Sequence, residues 1–141
     1  MTGVNERVIG IDLGSKRVGL AIGDKQLKVA TGYGVIEYKN QAKLIEDLRE
    51  IVKNEDISTI VIGLPKNMDG SDGVGAHDAM NFSALIKGKL NADVVLVDER
   101  LTTFQAIRQL HAAGEKVGKN RGKIDMMAAI LILQNYLDSL G

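Results

Sequence analysis

The stretch Thr59-Ile60-Val61-Ile62-Gly63-Leu64 constrains the fold more than any other part of this chain. It is a near-continuous apolar run, the pattern of a strand buried on both faces, as in a parallel sheet covered by helices. Pro65 closes it, because proline cannot donate to a ladder. The flanking sequence supplies the covering helices. Upstream, Leu44, Ile45, Leu48, Ile51 and Val52 form one stripe of an amphipathic helix, with Asn40 placed to cap its amino end. Downstream, a loop rich in Gly, Asp and Asn runs from Lys66 to Gly75, and Ala79, Phe82, Ile86 and Leu90 then mark a second helix. Val94 to Val97 reads as another buried strand.

The amino-terminal part has strand periodicity instead. Ile9, Ile11 and Leu13 alternate with Val8, Gly10 and Asp12, Gly14-Ser15-Lys16 is turn chemistry, and Arg17 to Gly23 follows as the second arm of a hairpin. Tyr33 to Tyr38 is rich in β-branched and aromatic residues and reads as a third strand. Near the carboxyl end, Thr102 with Gln105 forms a capping box that opens a helix through Leu110, and Gly114 sits where a terminating glycine belongs. A polar loop from Glu115 to Lys123 leads to a last helix, with Asp125 in its first turn and its end near Asp138. The order is β-β-β-α-β-α-β-α-α. Short turns make the first three strands antiparallel, and helical connections make the later two parallel. The expected fold is α/β: a five-stranded mixed sheet flanked by helices, one domain across residues 1–141.

Composition removes several functions. With no cysteine there is no disulfide scaffold, thiolate nucleophile or Cys-based zinc site. The residues from Met1 to Arg7 are polar and of mixed charge, unlike a signal peptide, and the longest apolar run, Met126 to Leu133, is far short of the ~20 residues that span a bilayer. A cytoplasmic protein without a membrane partner is expected. Net charge is zero, from 18 basic and 18 acidic residues, so any attraction to nucleic acid is local. Such a local patch exists: Arg100, Arg108, Lys116, Lys119, Arg121 and Lys123 face only Glu115 and Asp125 in the same segment. Taken alone it also reads as a solvated loop.

Four acids suggest chemistry. Asp12 ends a core strand on the face of Val8 and Gly10, where an unpaired carboxylate is costly. Asp98 and Glu99 end the last strand, and parallel strands present ligand-facing groups at their carboxyl ends. Asp125 opens the last helix, where the macrodipole favours an acid by ~0.3–1 kcal/mol. Each has a plain structural reading too, as a turn former, a surface pair beside Arg100 and a helix-start acid. The expected topology draws Asp12, Glu99 and Asp125 toward one edge of the sheet, and clustered carboxylates persist when a hard cation neutralises them. Mg²⁺ or Mn²⁺ held there suits phosphodiester hydrolysis, in which two such ions ~4 Å apart activate water and stabilise the leaving oxygen. His77 and His111 have no metal-ligand spacing. Lys16 and Arg17 beside Asp12, and Lys119, Arg121 and Lys123 before Asp125, suit phosphate contacts. Aromatic residues are only 4%, so recognition through backbone shape is expected rather than base stacking.

At these residues the chain resembles the YqgF family, also called RuvX. Gly10-Ile11-Asp12-Leu13-Gly14 with Arg17-Val18-Gly19-Leu20-Ala21 is similar to its first motif, and Val61-Ile62-Gly63-Leu64-Pro65 with Asn67-Met68-Asp69-Gly70 to its second. Asp98-Glu99-Arg100-Leu101-Thr102-Thr103 follows, then Lys123-Ile124-Asp125 with Ala128-Ala129 and Leu133-Gln134. The resemblance implies a ribonuclease H-like fold and a metal-dependent endonuclease acting on structured nucleic acid. It points to maturation of the 5′ end of precursor 16S ribosomal RNA, or to resolution of branched DNA by analogy with RuvC. It puts the catalytic acids at Asp12, the Asp98–Glu99 pair and Asp125, and metal ligation at Asp12, Glu99 and Asp125. Glu99 is preferred for its reach, with Asp98 left open. Asn67, Arg100 and Thr102, within the matching stretches, join the substrate contacts. One departure stands out: the wider fold carries an acid at the end of the fourth strand, where this chain has Gly63-Leu64-Pro65, so the metal site would shift toward the fifth strand. Two other readings are a nucleotide-binding domain and a non-catalytic RNA-binding scaffold. The chain is expected to be a monomer or a homodimer, and a resolvase, making two cuts, favours the dimer.

Overall fold

Strand alternation settles the two layers of the molecule. In the computed structural model, which describes residues 6–14, 16–64, 74–98 and 121–141, the strands are β1 (Arg7–Leu13), β2 (Arg17–Asp24), β3 (Ala30–Glu37), β4 (Thr59–Leu64) and β5 (Asp93–Asp98). The helices are α1 (Gln41–Asn54), α2 (Val74–Lys87) and α3 (Arg121–Ser139). The five strands lie in the order β3-β2-β1-β4-β5. β1 pairs antiparallel with β2 and parallel with β4, β2 pairs antiparallel with β3, and β4 pairs parallel with β5. The expected mixed sheet is therefore present, with β1 at its centre. The expected helix from Thr102 to Leu110 lies outside the described residues.

Along β1, Ile9 and Ile11 turn to one face, where Val18 and Leu20 of β2, Ile60 and Ile62 of β4, Leu44 and Leu48 of α1, and Phe82 and Ile86 of α2 form a core. Val8, Ala21 and Val61 turn to the other face and pack on Ala128, Ala129, Ile132, Leu133 and Leu137 of α3. Each such aliphatic side chain, fully withdrawn from water, contributes roughly 1.5–3 kcal/mol. The two-sided apolar run of β4 is thus explained: it is covered from above and below.

α1 begins where the sequence signals it. Asn40 has extended backbone (φ −142°), and its side chain accepts the Lys43 N–H at 2.8 Å, a cap of about 1 kcal/mol. Two helix starts differ from expectation. α2 begins at Val74, inside the expected loop, and α3 begins at Arg121, so Arg121 to Lys123 are helical and Asp125 lies in the second turn. Gly122 does not prevent this, because first-turn amides have no intrahelical acceptor in any case and packing of α3 on the sheet outweighs propensity. Among the described residues no helix is long and apolar enough to cross a membrane.

Candidate active site

The site grows from a glycine. Asp12 is the register partner of Gly19 across the β1–β2 ladder, and residues directly opposed in an antiparallel pair point to the same face. An ideal Cβ on Gly19 would lie 2.1 Å from the backbone oxygen of Asp125 and 2.5 Å from its carbonyl carbon. No side chain fits between β2 and α3 here, so strand and helix backbones touch. Asp12 therefore faces α3 next to the turn that carries Asp125. Both acids are buried, at 5% and 6% exposure. The same intimacy recurs along β1, where a Cβ on Gly10 would stand 2.7 Å from the Leu133 Cβ. Asp12 stands near the carboxyl end of the central strand, and Asp125 on the helix that covers the same face of the sheet.

Arg17 lies two residues before Gly19 and so shares its face. Its Nε donates to Oδ2 of Asp125 at 2.8 Å, with side-chain exposures of 24% and 9%. The β1–β2 turn beneath it is fixed at several points. Gly14 N–H donates to the Arg17 oxygen (3.0 Å), Tyr38 N–H donates to the Lys16 oxygen (3.0 Å), and the Tyr38 hydroxyl donates to the Gly14 oxygen (2.5 Å). Burial, with a smaller contribution from the Asp78 carboxylate, pushes the Tyr38 phenol above its ordinary value, so that hydroxyl stays a donor at neutral pH.

The other residues singled out by the sequence fall in several places. Lys16 and Lys123 are exposed and flank the acids in sequence. Asp98 ends β5 in register with Leu64, whose side chain packs toward α1 and α2, whereas Val97 packs toward α3. Asp98 is thus on the face opposite Asp12 and Asp125. Asn67, Glu99, Arg100, Thr102 and Lys119 lie outside the described residues, as does the side chain of Arg121. His77 is exposed on α2, and His111 lies outside the described residues.

Carboxylate oxygens are the donors that hard cations such as Mg²⁺ and Mn²⁺ take, so Asp12 and Asp125 fit part of such a site. Among the described residues no group of three or more His, Cys, Asp or Glu gathers around one point. What the sequence did not announce is the role of Gly10 and Gly19. The signal was nonetheless there: glycines at alternate, inward positions of the hairpin, opposite a helix with Ala128 and Ala129.

The family profile of RuvX, described as Holliday junction resolvase, matches residues 6–139. Among curated relatives, a protein of Pelotomaculum thermopropionicum is 42% identical over 96% of this chain and 88% of its own length. One of Heliobacterium modesticaldum is 41% identical over 94% and 89%, and one of Clostridioides difficile is 40% identical over 94% of both. All three are provisionally named pre-16S rRNA nucleases. Among solved structures, Thermus thermophilus RuvC in complex with a Holliday junction substrate superposes with a TM-score of 0.56 at 13% identity, covering 96% of each chain. The fowlpox virus resolvase bound to Holliday junction DNA gives 0.53 at 12% identity, covering 95% of this chain and 98% of the resolvase. At that identity the likeness carries the fold alone.

Proposed function

We propose, from the premise that this chain belongs to the RuvX family and is a phosphodiester-cleaving hydrolase of the ribonuclease H-like fold, that Asp12 and Asp125 are its catalytic acids and precursor 16S ribosomal RNA its substrate. The observation that carries this reading is the β2–α3 contact at Gly19, which holds two buried carboxylates on one face of the sheet. The third acid is Glu99. Asp98 is the less favoured of the pair, since Val97 faces α3 and Asp98 faces away from it. Asp12, Glu99 and Asp125 would hold Mg²⁺ or Mn²⁺, which when bound activates the attacking water and stabilises the leaving oxygen. Lys16 and Lys123 contact phosphates, with Asn67, Arg100, Thr102, Lys119 and Arg121 as further contacts. Precursor RNA is preferred over branched DNA because the relatives that share about 40% of their residues carry the ribosomal name. The junction-bound neighbours share only 12–13%. The working compartment is then the cytoplasm.

The test is cleavage of a 16S ribosomal RNA precursor and of a four-way DNA junction in Mg²⁺ or Mn²⁺, with wild type and Asp12→Asn. Wild type is expected to trim the RNA at its 5′ end. The variant should lose more than the ~10–100-fold that loss of an outer-shell partner costs a metal site. Undiminished cleavage by Asp12→Asn removes the active-site reading, and cleavage of the junction alone transfers the activity to DNA. Binding of the precursor without cleavage by wild type leaves a scaffold.

A further inference from the structure

Two carboxylates on one buried patch repel each other, and the repulsion is present whenever the chain is folded without a divalent cation. A positive charge belonging to the protein is therefore useful beside these acids, and Arg17 brings one to Asp125. Its 2.8 Å ion pair with Asp125 is part-buried, the carboxylate more deeply than the guanidinium. Its place is prepared by the main chain: the hairpin closes through the Gly14 N–H onto the Arg17 oxygen, and Tyr38 straps the turn with both its backbone N–H and its hydroxyl. Lys16 and Lys123, by contrast, are exposed and present their ammonium groups to whatever approaches. Among the described residues the cations near the site divide into two kinds: Arg17 is turned inward onto a carboxylate, and Lys16 and Lys123 stand exposed.

We infer that Arg17 is the resident counter-ion of Asp125 and competes there with the divalent cation, so that this ion pair sets the cation concentration at which the site fills. The inference rests on the reading of Asp12 and Asp125 as cation ligands. A guanidinium and a divalent cation cannot both neutralise one carboxylate oxygen at full strength, and each also repels the other. Arg17 accordingly keeps the acids in place when the cation is scarce and turns toward the substrate's phosphates once the cation takes over.

The test is calorimetric titration of the whole protein with Mn²⁺ alone, without substrate, for wild type, Arg17→Met and Arg17→Lys. Arg17→Met should bind Mn²⁺ about tenfold more tightly, the order of effect expected when a unit charge leaves the neighbourhood of a divalent ion. Arg17→Lys keeps the charge and should stay within about threefold of wild type. Equal or weaker binding by Arg17→Met overturns the inference, because Arg17 would then merely orient Asp125 or play no part. Failure of wild type to bind Mn²⁺ removes the cation site itself, a result distinct from unaltered binding in the variants. Should Arg17→Met not fold, the wild-type protein answers alone. Saturating Mg²⁺ should move the Arg17 Nε–H resonance toward that of an unpaired guanidinium, and an unmoved resonance refutes competition.

Discussion

Gly19→Ala adds one methyl group at the closest approach between strand and helix. Its Cβ would meet the Asp125 oxygen at 2.1 Å, the Asp125 carbonyl carbon at 2.5 Å and the Met126 nitrogen at 3.1 Å. Comfortable heavy-atom separations are about 3.5–4 Å, so β2 and α3 must move apart by about 1 Å or more. The colliding atoms are main-chain atoms and cannot rotate away. Nor can the helix slide freely, because Gly10 and Leu133 are in similar contact further along the seam. Overpacking of this kind costs about 1–3 kcal/mol, and the main-chain clash puts Gly19→Ala at or above the upper end. A loss of about 3 kcal/mol corresponds to a fall of roughly 10 °C in Tm for a chain of this size. Separation also carries Asp125 away from Asp12, so Mn²⁺ binding should weaken along with stability. Gly34→Ala is the control: nothing lies within 4 Å of its Cβ, and its backbone is not left-handed. It should stay within about 0.5 kcal/mol of wild type. Urea denaturation and Mn²⁺ titration of both variants decide the matter. If Gly19→Ala unfolds within about 1 kcal/mol of Gly34→Ala and binds Mn²⁺ as wild type does, the close backbone contact is not what brings the acids together.

Two further substitutions probe the supports of the site. Gln134→Ala removes the acceptor of the Ala30 N–H (3.0 Å) and the donor to the Lys28 oxygen (2.8 Å), which tie α3 to the β2–β3 connection. Leaving those partners unsatisfied should cost about 1–3 kcal/mol in urea denaturation, and a loss below about 0.5 kcal/mol would mean water replaces the amide. Tyr38→Phe removes the hydrogen bond to Gly14, a loss of about 0.5–1.5 kcal/mol near neutral pH. Its phenol is held above the ordinary value of 10.0 by burial and by Asp78, so on raising the pH through that value the unfolded chain loses the proton first and wild-type stability falls. The contribution is complete below pH 10 and fades above it, so the gap between wild type and Tyr38→Phe should hold steady up to about pH 10 and narrow above it. A gap that does not narrow above pH 10 refutes the assignment.

Much of this architecture was readable because period-2 and period-3.6 patterns are local. The alternation of Ile9, Ile11 and Leu13 against Val8, Gly10 and Asp12 separated the two faces of β1 and put Asp12 with Val8, on the face that α3 covers. The uninterrupted Thr59–Leu64 segment announced burial on both sides. The start of α3 was misplaced for a physical reason: Gly118, Lys119, Asn120 and Gly122 read as loop by propensity, yet from Arg121 onward contacts with a sheet distant in sequence decide the conformation. Arg17 was expected to meet phosphate because it is a basic residue beside Asp12. Only the register of β2 and the approach of α3 reveal that it turns onto a carboxylate more than 100 residues away in the chain. The face on which Asp98 lies needed its pairing with Leu64, which no single-strand pattern contains.

The central position of β1 gives the two acids unequal footing. Asp12 belongs to a strand paired on both sides, so freeing its main chain means dismantling the sheet, whereas Asp125 rests in the second turn of a terminal helix. Helix ends open with far smaller free energies than central strands. Gentle heating should therefore detach one half of the site while the other half, and nearly all of the secondary structure, stays in place. Thermal inactivation would then begin before the protein melts, and would reverse on cooling.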